Sequence, residues 1–403
     1  MKADAPRRLS IIQVFNHYRM PGGEEKYVAR IAADLEQTGH QVTRFWRSSA
    51  EWSGPTAPPR YEQPFLLWRN QAVLAELRAR HEREQADVWI LHNVIPVISL
   101  GVYRLAIELK VPIIQWLHNY RPFSPSGTLL AGKRFLKPND PFIAWKETWS
   151  GSWNGRLLTG TLALGYAWIR FRRHFASVRA WIPVSEEMKK IFLQAGWPPS
   201  RLHTIRHSWN ITSEFKPADD AGHFLFLGRM VETKGVRFQV ELWRDPALKH
   251  LRLVMAGQGP LTEELRGNSP PNVSWIGHVE GREKEKWLRE CRAVLFPNTW
   301  PEPLSTVAYE AYEAGKSIIV SNRGGMKEIV FDGETGFVLE PSSCRLWKDA
   351  VLRLAQNPGL ARGLGIQGRK WLETHVSSAA WNKQFEAVIR NVMAGASGSG
   401  STQ

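Results

Sequence analysis

A short apolar run, a glycine-bearing loop and an amphipathic helix follow one another near residue 9 and again near residue 223. In the first instance Leu9-Ser-Ile-Ile-Gln-Val-Phe15 reads as a buried strand. Residues 16–23 form a loop closing on Gly22-Gly23. Val28, Ile31, Ala32 and Leu35 then recur at helical spacing before a stop at Gly39. In the second, His223-Phe-Leu-Phe-Leu227 is the strand, Gly228 to Gly235 the loop and Val236 to Trp243 the helix. Such units build parallel sheets, which bind ligands outside the carboxyl ends of their strands. Both glycine loops fall at such ends.

Further strands are expected at 41–45, 87–92, 112–118, 180–184 and 203–208 in the first half. In the second half they are expected at 251–256, 273–276, 293–297 and 317–321. The pattern predicts an α/β chain of two domains, over residues 1–211 and 223–376. Residues 212–222 are polar and carry Pro and Gly, as a linker does. A helix over 377–393 places Trp381, Phe385, Val388, Ile389 and Val392 on one face and is expected to pack back on the first domain. Residues 394–403, rich in Gly and Ser, are expected to be disordered.

Two cysteines, Cys291 and Cys344, rule out a disulfide framework or a four-cysteine zinc site and fit a reducing compartment. No signal peptide is read at the N-terminus and no segment is long enough to cross a bilayer. The expected location is therefore the cytoplasm, with the inner face of its membrane as a further option. The uncharged run Leu157–Ile169 leads into Arg170-Phe-Arg-Arg-His-Phe175, which suits either a core helix or contact with an anionic membrane. The net charge of +15 is spread along the chain, without zinc-finger spacing or an RNP-type aromatic motif, so no nucleic-acid partner is expected.

The second half concentrates the chemistry. Arg229 and Lys234, between Gly228 and Gly235, can aim two cations at one diphosphate. Gly257-Gln-Gly259 permits close approach of the backbone to a ring or phosphate, and with Gly228 is expected to contact the donor. Phe296-Pro-Asn-Thr-Trp-Pro-Glu302-Pro leaves a strand, and Leu304-Ser305 opens a helix that carries Glu310 and stops at Gly315. That helix N-terminus offers free N–H groups to a phosphate, and the two carboxylates suit sugar hydroxyls. Singly these motifs have plainer readings: a solvated basic loop, a turn, acids on a helix face. No aspartate cluster has metal-ligand spacing, and neither metal nor cofactor is expected.

In combination the order is much more specific. It runs Gly228-Arg229…Lys234-Gly235, Ala256-Gly257-Gln-Gly259-Pro260 and Phe296-Pro297…Glu302…Glu310-Ala311…Ala314-Gly315. It continues through Ser321-Asn-Arg-Gly-Gly325…Glu328-Ile-Val330 and Gly333-Glu-Thr-Gly-Phe337. This series resembles the retaining glycosyltransferases of family 4. The resemblance implies the GT-B fold, with two Rossmann-like domains facing a central cleft. It implies hexosyl transfer from a UDP- or GDP-linked sugar. It assigns Arg229 and Lys234 to the donor diphosphate, Glu302 to the donor sugar and Glu310 to the ribose. The backbone at Leu304 and Ser305 would meet the phosphates, where many relatives carry Phe-Gly. Gly22 and Gly23 would lie over the diphosphate, and His118 would face the transferred sugar, while His92 is read as structural. The resemblance is close over residues 223–341 and looser before them.

His118-Asn-Tyr-Arg-Pro-Phe123 and the Trp-rich stretch to Tyr166 are also similar to a subgroup of bacterial polysaccharide glycosyltransferases. Some of these have cysteines in that stretch, and this chain has none. A glycan or lipid-linked acceptor follows from the likeness. Two alternatives stay open: a nucleotide-sugar enzyme of another reaction, such as an epimerase or phosphorylase, and a non-catalytic basic scaffold.

Overall fold

A computed structural model describes residues 8–19, 22–132, 134–211 and 220–397. The chain divides into two compact units, one of residues up to Ser208 together with those from Ser378 onward, the other Trp209–Ser377. Of the expected linker, residues 212–219 lie outside the described residues. Its end is tied to the second unit, where Asp220 pairs with Arg292 and Ala221 N donates to Glu290 O at 2.9 Å.

The first unit holds β1 (Ser10–His17), β2 (Gln41–Ser48), β3 (Val88–Leu91), β4 (Ile113–Leu117), a small hairpin β5 (Leu130–Ala131) and β6 (Arg134–Phe135), and β7 (Val178–Pro183). Its helices are α1 (Gly23–Gln37), α2 (Gln63–Trp68), α3 (Gln71–Glu84), α4 (Val102–Glu108), α5 (Ile143–Ser150), α6 (Arg156–Phe171) and α7 (Glu186–Gln194). The five main strands are all parallel in the order β2-β1-β3-β4-β7. Every residue of β3 and β4 is buried, as strands covered on both faces must be. Gln115 is the polar exception in β4. Its amide donates to Leu91 O and His92 O and accepts from the Tyr103 hydroxyl at 2.8 Å, so both of its own polar atoms are satisfied.

The second unit holds β8 (Phe224–Leu227), β9 (Leu253–Ala256), β10 (Val273–Gly277), β11 (Ala293–Phe296), β12 (Ser317–Ser321) and β13 (Gly336–Leu339). These form a parallel sheet in the order β10-β9-β8-β11-β12-β13. Helices α8 (Val236–Leu242), α9 (Thr262–Gly267), α10 (Gly281–Glu290), α11 (Thr306–Glu313), α12 (Cys344–Gln356) and α13 (Pro358–His375) accompany it. Phe224, Phe226, Trp243, Leu295 and Trp347 are among its fully enclosed core residues.

Each sheet reverses its winding once. In the first the chain adds β2 beside β1, then returns to β1's other side for β3. In the second it adds β9 and β10 beside β8, then returns to β8's other side for β11. The carboxyl ends of the strands flanking each reversal leave a crevice for a ligand.

The last helix, α14 (Ser378–Ser397), belongs to the first unit. Trp381 stacks on Trp116 of β4 at 5.8 Å, and Phe385 lies 5.3 Å from the same ring. Glu386 reaches His40 Nε2 at 2.7 Å, and Ser378 Oγ donates to Asp34 at 2.8 Å. The helix continues through Ala394–Ser397, where disorder was expected; residues 398–403 lie outside the described residues.

One expected strand is corrected. Residues 203–208 run beside β7, with His203 N donating to Trp181 O and Ile205 N to Pro183 O, but only an isolated bridge at Leu202 results. Among the described residues no helix is long and apolar enough to cross a membrane.

Candidate functional site

In the second unit the loops after β8, β9, β11 and β12 are fastened to one another. Gly228 N donates to Ala256 O and Met230 N to Gln258 O, both at 3.0 Å, which joins the first loop to the second. Gly257 sits at φ +134°, and a Cβ there would stand 1.9 Å from Gly228 O. A Cβ on Gly259 would stand 2.5 Å from Met230 O. These glycines are accounted for by the approach of one loop backbone to another, whereas the sequence suggested approach to a ligand. The loop after β11 is held on both sides. Thr299 N donates to Thr233 O at 3.0 Å, and Gly325 N donates to Glu302 O at 2.8 Å. Gly324, at φ +70°, lies so near that a Cβ would meet Glu302 O at 2.2 Å.

This bracing sets the position of Glu302, which is 8% exposed. Its Oε1 accepts from Lys234 Nζ and its Oε2 from Asn298 Nδ2. The two oxygens are thus engaged, one by a cation on the loop after β8, the other by an amide on the loop after β11. Arg229, on the first of these loops, is exposed and makes no ion pair among the described residues. Helix α11 starts immediately after, with Ser305 in extended conformation at its N-cap and no side chain capping it. Its first N–H groups therefore carry the unspent positive end of the helix dipole. Leu304 and Ser305 are both 8% exposed.

Glu310 lies farther along α11 and is not joined to Glu302. Its Oε1 takes Lys284 Nζ of α10 at 2.6 Å, and its Oε2 is buried with no hydrogen-bond partner. A buried carboxylate oxygen without a donor suits a ligand hydroxyl. Asn298 and Lys284 were not picked out from sequence. Lys284 sits in a run of alternating charges that reads as a solvated helix face.

In the first unit Gly22 is the N-cap of α1 and Gly23 its first residue. Glu25 turns back on this end: Oε2 accepts from Gly22 N at 2.7 Å and Oε1 from Tyr18 N at 3.0 Å. The carboxylate thus occupies the Gly22 N–H, in the glycine pair that the resemblance lays over a diphosphate. Asn119 Nδ2 reaches the Tyr18 hydroxyl at 3.4 Å, which links this end of α1 to the loop after β4.

His118, at the end of β4, accompanies His92, at the end of β3, with Nε2 2.9 Å from His92 Nδ1. The other His92 nitrogen meets Gln13 Nε2 at 3.1 Å, and that amide also donates to Val28 O at 2.9 Å. With Gln13 as donor, His92 accepts at Nε2 and donates from Nδ1, so His118 accepts at Nε2 and keeps its proton on Nδ1. Burial pushes His118 down to about 3. His92 is driven well below the ordinary histidine value, by burial first and His118 second. Both rings are neutral at pH 7. His92 thus orients His118, which is more than the structural role expected from its sequence.

Among the described residues no group of three or more His, Cys, Asp or Glu is placed to hold a metal ion. The family model described as Glycosyltransferase Family 4 matches residues 21–210, and the one described as Glycosyl transferases group 1 matches residues 208–371. The chain is a family-4-like glycosyltransferase. This glycosyltransferase is 22% identical to D-inositol 3-phosphate glycosyltransferase of Pseudarthrobacter chlorophenolicus, over 88% of each chain. It is 26% identical to an uncharacterized glycosyltransferase of Methanocaldococcus jannaschii, where the match spans 36% of this chain and 42% of that protein. In fold it is similar to sucrose-phosphate synthase of Thermosynechococcus elongatus, with a TM-score of 0.71 and 17% identity over 96% of this chain and 100% of that one. It is also similar to Anabaena HepE in complex with UDP-glucose, with a TM-score of 0.66 and 15% identity over 94% and 99%. These likenesses make the glycosyltransferase fold GT-B.

Proposed function

We propose that this glycosyltransferase moves a hexose, with retention of anomeric configuration, from a UDP- or GDP-linked donor to a glycan or lipid-linked acceptor. The setting is bacterial surface-polysaccharide synthesis at the inner face of the cytoplasmic membrane. The observation that carries the donor assignment is Lys234 held against Glu302 beside the uncapped start of α11. The loops concerned follow β8 and β11, the strands flanking the second sheet's reversal. The UDP-glucose bound by Anabaena HepE supports the same donor class.

The chemistry follows from where charge develops. The bond from sugar C1 to the diphosphate oxygen breaks, a bond from C1 to the acceptor oxygen forms, and the acceptor proton passes to the departing phosphate. Negative charge grows on the diphosphate, and Lys234, Arg229 and the amide groups at Leu304 and Ser305 are the means of balancing it. Glu302 binds sugar hydroxyls and positions Lys234, and Glu310 Oε2 accepts from a ribose hydroxyl. His118 donates from Nδ1 to the transferred sugar. Gly22 and Gly23 would lie over the diphosphate by close backbone approach, with the Gly22 N–H itself held by Glu25. No metal or cofactor enters this scheme.

The test is calorimetry with UDP and GDP, followed by a panel of nucleotide sugars with the product anomer read by NMR. Binding of one nucleotide and a product of retained configuration are expected. Failure to bind either nucleotide refutes the proposal, and a product of inverted configuration refutes the mechanism.

A further inference from the structure

Fourteen large apolar side chains are exposed among the described residues, and ten of them lie on or beside α2, α5 and α6. Scattered apolar residues on a surface need no explanation, but a concentration of this kind marks an interaction face. Helices α2 and α5 both pack on α6, so the three form one continuous piece of surface. Trp68 of α2 lies 6.3 Å from Trp168 of α6, and Trp145 and Trp149 of α5 stack at 6.3 Å.

Helix α6 has two apolar sides. Thr159, Leu162, Tyr166 and Ile169 are buried against the unit. Leu157, Leu164, Trp168 and Phe171 recur at intervals of seven, four and three on the other side and are exposed, Phe171 to 77%. A helix of a water-soluble surface would place polar residues there.

The exposed charges of α6 and of the residues just after it have one sign. Arg156 lies over Trp149 at 4.8 Å and Arg172 over Trp168 at 5.4 Å, and Arg173 is exposed next in the chain. The only carboxylate within α2, α5 and α6 is Glu147, which is fully buried and held by Ser124 Oγ and Ser126 N. A second copy docked symmetrically about α6 would bring these arginines against their own counterparts, since the flanking carboxylates are Asp140, already held by Lys146, and Glu62 before α2. An anionic lipid surface complements the pattern, with indole and phenyl rings entering the headgroup layer and guanidinium groups at the phosphates.

We infer that α2, α5 and α6 form a docking face for an anionic bilayer, with α6 lying in the plane of the interface. The inference rests on the membrane setting proposed above and names the surface responsible.

The experiment is flotation of the full chain with vesicles of phosphatidylcholine alone, or of phosphatidylcholine mixed with phosphatidylglycerol. The protein is expected to float with the mixed vesicles only, and less so as salt is raised. Both W168E/F171E and R172E/R173E are expected to lose about tenfold or more of that partition. Circular dichroism and UDP binding should stay unchanged. Should the first pair disturb folding, the arginine pair, on exposed positions, decides.

The inference is overturned if the wild type stays unbound with mixed vesicles, or if it binds pure phosphatidylcholine equally well. It is also overturned if light scattering shows a dimer that W168E/F171E dissolves. UDP binding without flotation would sink the docking face and leave the transferase reading intact. Flotation without binding of either nucleotide would do the reverse.

Discussion

Lys234 Nζ is bonded to Glu302 Oε1, so a cation on the loop after β8 is paired with a carboxylate on the loop after β11. Sixty-eight residues separate the two in sequence. A nucleotide entering beside α11 has to compete with a carboxylate for that ammonium, and the carboxylate must then find hydroxyl partners. On the proposed donor chemistry, the pair would couple diphosphate recognition to sugar recognition.

Replacing Glu302 by Gln removes the competing charge while keeping the shape. UDP affinity is expected to hold or rise, while turnover of the nucleotide sugar falls. Lys234→Ala is expected to lower kcat by about a hundredfold or more, the scale of losing one charged stabiliser of a developing anion. Calorimetry and initial rates separate the two effects, and near-normal turnover in Lys234→Ala would contradict the assigned role.

The unpartnered Oε2 of Glu310 predicts a selective loss. Wild-type protein should bind UDP about tenfold more tightly than an analogue lacking the ribose hydroxyls. Glu310→Ala should bind both alike. A wild type indifferent to the hydroxyls would disprove the ribose contact.

His92→Phe keeps the bulk of the ring and removes the hydrogen bond that orients His118. A fall in kcat of about tenfold with little change in donor KM is expected, in line with other groups that act by fixing a histidine tautomer. Nitrogen NMR of His118 should report the lost tautomer preference. A KM effect alone would point to general loosening.

Acid is expected to destabilise the first unit. Burial holds His92, His118 and His207 below the ordinary histidine value, His118 at about 3. The unfolded chain titrates near 6.5 and so binds more protons than the folded one below that pH. Stability is present above about pH 6.5 and is lost as pH falls towards 3, at up to about 1.4 kcal/mol per pH unit for each histidine. Urea midpoints at pH 7 and pH 5.5 measure it, and His118→Gln should reduce the difference between them. Equal midpoints would contradict the neutral assignment.

Gly257→Ala combines a backbone angle of +134° with a contact at 1.9 Å to Gly228 O. A stability loss of about 3 kcal/mol is expected, visible as a lowered Tm. An unchanged Tm would show that the two loops can separate freely.

Much of the framework was legible in the sequence because parallel strands are continuous apolar runs. Ser317–Ser321 is found where Ser317-Ile-Ile-Val-Ser321 announced it, and Ala293–Phe296 likewise. Gly336–Leu339 was visible only as part of a glycine motif, since four residues beside a turn carry too little pattern. Residues 203–208 had the composition of a strand but lacked a continued ladder. In each unit the candidate residues were legible as residue types in loops, and their pairings were not. Lys284 with Glu310, Asn298 with Glu302 and His92 with His118 depend on which chain segments meet, which spacing along the chain does not specify.

Trp381 and Phe385 cover Trp116, although more than two hundred and fifty positions of chain intervene. During synthesis the first sheet must wait with this indole uncovered until the final helix leaves the ribosome. The second unit, uninterrupted from Trp209 to Ser377, has all its strands beforehand. The half made first is thus the half that matures last, and a truncation before Ser378 would harm the beginning of the protein more than its end.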